Sequence, residues 1–172
     1  MCRNLIVIVS ALLLLHSGIV AQSPVPDCGD RKDKIELLKK SISKLAEFKT
    51  GDGTVDGADT TYKSYFELCG KKAVVVKKKY SVMLKIEFSS DDYSSDVYAF
   101  SNMKNRLLVT LKEVFKGWKT DISKSEDEDG KSELNYFLDG ADNTWEAKTY
   151  VLLSSYITSD TRLFSVEIEC KR

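Results

Sequence analysis

Histidine is almost absent from this chain. Its single histidine, His16, lies within the apolar N-terminal segment. Without imidazole in the body of the chain, a Ser-His-Asp triad, a Cys-His protease and a histidine-bearing zinc site are all excluded. Proline is nearly as scarce: Pro24 and Pro26 are the only two, and they mark an extended lead-in. The phosphate signatures GxGxxG and GxxxxGK[ST] do not occur after any strand-like run, and no Asn-X-Ser/Thr acceptor is present. The N-terminal apolar run is too short to span a bilayer comfortably, and no run of spanning length follows it. Neither charge sign dominates, with 26 basic and 26 acidic residues, so the chain exerts no global attraction on nucleic acid or anionic lipid. No internal repeat or low-complexity linker is legible.

What is present begins with a leader. Arg3 precedes an apolar core, Leu5–Leu15, and Ala21 stands where a peptidase would cut before Gln22. That order predicts a secretory signal over 1–21 and an extracellular location. Its removal takes away His16, Cys2 and Arg3, and leaves Cys28, Cys69 and Cys170, an odd number in an oxidising compartment. Cys69 and Cys170 both end apolar strands, so they are the expected pair. Cys28, in the lead-in over 22–32, is then the spare thiol, free or linked to a second copy as a disulfide-bonded homodimer.

The chain is organised around Ala73–Trp118. Val74, Val76, Tyr80, Val82, Leu84, Ile86 and Phe88 take the even positions and Lys77, Lys79, Ser81, Lys85 and Glu87 odd ones, the period of a half-buried strand. Lys78 falls on the apolar side, which predicts a bend or bulge there. Val97, Phe100, Met103, Leu107, Leu111, Val114, Phe115 and Trp118 then repeat at helical spacing. Ser95 or Asp96 can cap this helix, and Gly117 can stop it. Upstream, Ile35, Leu38, Ile42 and Leu45 form the stripe of a first helix starting near Asp33, and a short strand is expected over Tyr62–Cys69. Downstream, Lys119–Lys131 reads as an acidic loop, followed by strands over Glu133–Leu138, Trp145–Ile157 and Leu163–Cys170. Short connections make these antiparallel. The expectation is one α+β domain over 33–172, a mostly antiparallel sheet with two helices packed on one face.

Carboxylates offer two further readings. A two-carboxylate hydrolase needs a facing pair, but the acids here cluster in loop-like runs. Gly51–Asp59 resembles half of an EF-hand loop when Asp52 takes the fifth position and Gly53 the sixth. Asp56 and Asp59 then take the ninth and twelfth, and the three aspartates would be the calcium ligands. Phe48 at the first position cannot ligate.

The organising stretch also resembles the opening of an SEA domain. The resemblance rests on the apolar strand Tyr80–Phe88, the stretch Asp92-Tyr93-Ser94-Ser95-Asp96, and a helix bearing Phe100, Met103, Leu107, Leu111 and Phe115. It implies an extracellular interaction module rather than an enzyme. The chain departs from that family in lacking a Gly-Ser-Val-Val-Val strand after the helix.

These observations lead to a secreted, non-enzymatic protein that acts by binding or assembly on an extracellular protein or glycan. No catalytic residue is assigned, and Trp145 and Tyr156 are the candidate binding aromatics. A small-ligand carrier and an inhibitor or toxin-like effector are the alternatives. A carrier requires an apolar cavity under the central helix; an assembly module requires an exposed apolar patch or edge strand.

Overall fold

The computed structural model describes residues 28–93, 96–127, 130–140, 146–157 and 161–172. The leader, residues 22–27 of the lead-in and Trp145 lie outside them. Helix α1 (Arg31–Lys40) leads through a 3-10 segment (Ile42–Phe48) into β1 (Lys49–Asp56), β2 (Asp59–Leu68), β3 (Lys71–Lys77) and β4 (Ser81–Ser89). A 3-10 turn (Ser90–Tyr93) leads on to α2 (Val97–Val114) and then β5 (Lys119–Asp127), β6 (Gly130–Leu138), β7 (Thr149–Ile157) and β8 (Arg162–Lys171). A helix followed by four strands therefore occurs twice, a repeat of architecture that no sequence identity announced.

The eight strands of the described residues form one antiparallel sheet in the order β1-β2-β3-β4-β8-β7-β6-β5. Each half is a meander, and the halves meet where β4 pairs with β8 from Ser81↔Lys171 to Ser89↔Leu163. Along that seam Leu84, Ile86, Phe88, Phe164, Val166 and Ile168 are all at most 1% exposed. Phe88 and Phe164 stack with ring centroids 4.5 Å apart. On this face lie the apolar side chains of both helices, Ile35 and Leu38 from α1 and Phe100, Met103, Leu107 and Leu111 from α2. The α+β expectation with helices on one face thus holds. Asp96 caps α2, its carboxylate accepting from the N–H groups of Tyr98 and Ala99.

Four expectations are corrected. The run Ala73–Phe88 is not one bent strand but a hairpin, β3–β4, reversing at Lys78–Tyr80. The pairing Val75↔Leu84 and Lys77↔Val82 joins odd to even positions. Ala73 and Val75 therefore face the core, while Val74 and Val76 face away and Tyr80 is exposed. Second, the Gly51–Asp59 stretch belongs to the β1–β2 hairpin, closed at Gly57-Ala58. Third, Lys119–Asp127 is strand rather than loop. Fourth, α1 begins at Arg31, two residues before the expected start at Asp33.

The cysteine assignment is also corrected. Cys28 bonds Cys69, with Cα atoms 4.5 Å apart, and Cys170 is the free thiol. Cys170 pairs across the sheet with Val82 and Thr149, whereas β3 and β4 intervene between β8 and the end of β2. Cys28 is 5% exposed and bonded, so its reading as the spare thiol and the disulfide-linked dimer built on it fall away. The bond fastens the start of α1 to the Cys69-Gly70 turn, where both residues have positive φ (51° and 76°). That conformation suits a tight two-residue hairpin.

Two outcomes follow. Leu111→Ala, at a side chain 0% exposed, should lower unfolding stability by about 2–5 kcal/mol; a loss under about 0.5 kcal/mol, as at a surface site, would contradict the packing. Peptide mapping without reductant should yield a Cys28–Cys69 linked pair and an alkylated Cys170; a Cys69–Cys170 pair would contradict this fold.

Candidate functional site

The seam is apolar, and the helix-side face becomes polar as the sheet runs outward to β5. The registers give this row by row. From the seam outward, Val166 pairs with Leu153, Leu153 with Asn135 and Asn135 with Ile122. In the next row Phe164, Ser155, Glu133 and Lys124 follow one another, and beyond it Ile157, Lys131 and Glu126. Helix α2 covers the apolar end of the first two rows and leaves the polar end open. The result is a trough of about 380 Å³ lined by Lys104, Lys124, Lys131, Glu126, Glu133, Ser125, Ser132, Ser155 and Ile157.

Its wall is α2, from which the Lys104 ammonium donates to Ser155 Oγ at 3.1 Å and lies 3.7 Å from Glu133. Lys124 approaches Glu133 to 3.1 Å and Lys131 approaches Glu126 to 3.2 Å. The Asn135 amide donates to Glu133 Oε1 at 3.1 Å. That bond, then the Lys124 ammonium, holds the Glu133 carboxyl below its ordinary range, with Lys104 adding to the effect against partial burial. Three ammonium groups against two carboxylates leave a mildly cationic floor. It is flanked by two exposed apolar side chains, Ile122 (54%) and Ile157 (38%).

The edge beside the trough is β5. It pairs with β6 without interruption from Lys119↔Leu138 to Asp127↔Gly130, and among the described residues no strand lies on its other side. The opposite edge is different. Its register with β2 shifts between Thr50 and Thr54, and Gly53 lies under the Tyr62 ring, 2.7 Å from where a Cβ would stand. The ammonium groups of Lys49 and Lys77 lie 4.8 and 5.6 Å from that ring. A bulge of this kind blunts an edge; β5 has none.

The residues named from the sequence fall elsewhere. Asp52 and Asp56 are exposed, and Asp59 faces Asp56 across the hairpin. The segment is flanked on its C-terminal side by strand, not helix, and among the described residues no three His, Cys, Asp or Glu side chains converge as metal ligands. Tyr156 is half-buried on the face away from the helices, over a hollow of about 190 Å³ that includes Lys85, Glu87 and Glu167. It does not meet the trough. Ile122 was missed. Its signal was available, since it is the lone apolar residue between Lys119 and Lys131.

The most buried carboxylate among the described residues lies on the face away from the helices and is structural. Glu169, 7% exposed, accepts from Lys78 (2.7 Å), Ser81 (2.6 Å) and Tyr150 (2.7 Å). It joins the β3–β4 turn to β4, β7 and β8. Burial alone would raise its pKa; the three donors more than offset this and hold it below the ordinary value. Burial, and then the bond to Glu169, push the Tyr150 phenol up. No protein-family model, no curated protein and no solved structure matches this chain.

The depressed Glu169 pKa has a defined consequence. Its contribution to stability is complete above the ordinary glutamate value of about 4.3 and is lost as pH falls through the lower native value. Glu169→Gln should be less stable at neutral pH and should show a shallower loss of stability below about pH 4.3; an unchanged acid profile would contradict the assignment.

Proposed function

We propose that this chain is a secreted, non-enzymatic extracellular module that acts by binding or assembly through its β5 edge and the adjoining trough. One observation carries the reading: a nine-residue strand in unbroken register at the end of the sheet formed by the described residues, with an exposed isoleucine near its centre. Open edges of this kind accept a further strand by main-chain hydrogen bonding. The space under α2 favours assembly over a carrier, because Phe100, Met103, Leu107, Leu111 and Phe115 fill it, each at most 5% exposed.

Secretion is supported by the order of Met1–Ala21 and by the disulfide between Cys28 and Cys69. Among the described residues no helix is long and apolar enough to cross a membrane. The SEA-like succession of strand, short polar stretch and helix points to the same class of extracellular module.

Mass spectrometry of the chain recovered from the extracellular medium should find a terminus near Gln22; an intact Met1 would contradict secretion. The wild-type chain and an Ile122→Lys variant, both immobilised, should differ when exposed to the surrounding fluid or to soluble copies of the chain. A component bound by the first and lost by the second fits the reading. Equal binding by both, or none by either, contradicts it.

A further inference from the structure

We infer that the partner at the β5 edge is a second copy of this chain, the two β5 strands pairing antiparallel about a two-fold axis at Ile122 to make one continuous sheet. The inference rests on the binding reading above and names its partner. The backbone is placed for it. The Ile122 N–H donates to Asp121 Oδ1 at 2.8 Å, so it points away from β6. In an antiparallel pair, alternate residues turn their N–H and C=O groups to opposite sides. Thr120, Ile122, Lys124 and Glu126 therefore present theirs to the open edge. On pairing, Asp121 releases the Ile122 N–H to a carbonyl of the second copy, one hydrogen bond replacing another.

Charge rules out two registers, and the exposed isoleucine chooses among those that remain. A two-fold axis perpendicular to the sheet pairs residues that share a face, so it must pass through a residue pair. An axis at Asp121 sets Asp121 against its own copy, and one at Lys124 does the same with lysine; directly opposed like charges are destabilising. An axis at Ser123 sets Ile122 against Lys124. An axis at Ile122 sets the isoleucine against itself, Thr120 against Lys124 and Asp121 against Ser123. It opposes no like charges and withdraws a 54% exposed apolar side chain from water. The bulged β1 edge offers no equivalent surface, so pairing through β5 alone is isologous and closes as a dimer instead of extending into a filament. A contact along one strand is at the small end of specific interfaces, and the pairing is accordingly concentration-dependent.

The test uses the mature chain with its native disulfide. Sedimentation velocity from about 1 μM to about 1 mM, the range of weak complexes, should show a monomer passing to a dimer. Ile122→Lys should remain monomeric with an unchanged circular dichroism spectrum and melting temperature. In a Cys170→Ser background, Ile122→Cys should form a disulfide-linked dimer under mild oxidation, since paired Cα atoms about 5.5 Å apart lie within disulfide range. Lys124→Cys in the same background should link far less. A wild-type chain that stays monomeric throughout, an Ile122→Lys chain that still dimerises, or equal linking at both cysteine positions would each overturn the inference. A chain that is monomeric yet holds another partner lost on Ile122→Lys would overturn self-pairing and leave the binding reading standing.

Discussion

The pairing of β4 with β8 is the interaction on which the rest of the molecule depends. Nine residue pairs join two meanders that would otherwise be separate four-stranded sheets, each with its own helix. Four strands and one helix enclose little apolar surface alone. Joined, they place Leu84, Ile86, Phe88, Phe164, Val166 and Ile168 side by side under both helices. The two helices also bind each other: Arg31 and Lys39 of α1 donate to Thr110 Oγ1 and the Val114 carbonyl of α2. The seam is also secured on its outer face, where Glu169 collects three donors from the neighbouring strands.

A core centred on the seam has a consequence for the edges. Apolar side chains are spent where both helices can cover them, and the rows grow polar with distance. On the β1 side this ends in a glycine-rich, bulged strand sealed by Tyr62. On the β5 side it ends in a regular strand beside an open trough. The asymmetry between two architecturally equivalent halves is what singles out β5 as the proposed contact edge, where the hydrophobic cover stops.

Much of this was legible in the sequence. The stripe of α2, the Asp96 cap, the apolar face of β4 and the last three strands follow from periodicity and capping chemistry. The two edge strands were not legible, because a strand that buries neither face has no reason to alternate. Lys49–Asp56 and Lys119–Asp127 read as glycine-rich and acidic loops for that reason. In the run Ala73–Phe88 the even positions are apolar on both sides of a three-residue reversal; Lys78 marked an interruption there, but not the change of face between Val75 and Leu84. Cysteine pairing depends on which strands intervene in the sheet, and β3 and β4 separate Cys69 from Cys170.

Residue-resolved amide hydrogen exchange on dilute protein addresses the whole arrangement at once, because exchange reports both the stability of each strand and the side to which each N–H points. A sheet built outward from the β4–β8 seam to an open β5 edge predicts the slowest exchange at Leu84, Ile86, Val166 and Ile168. Within β5 it predicts alternation, with Asp121, Ser123 and Ser125 protected by β6 while Thr120, Lys124 and Glu126 exchange freely. Uniform protection along β5 in the monomer, or a seam that exchanges as fast as the edges, would contradict it.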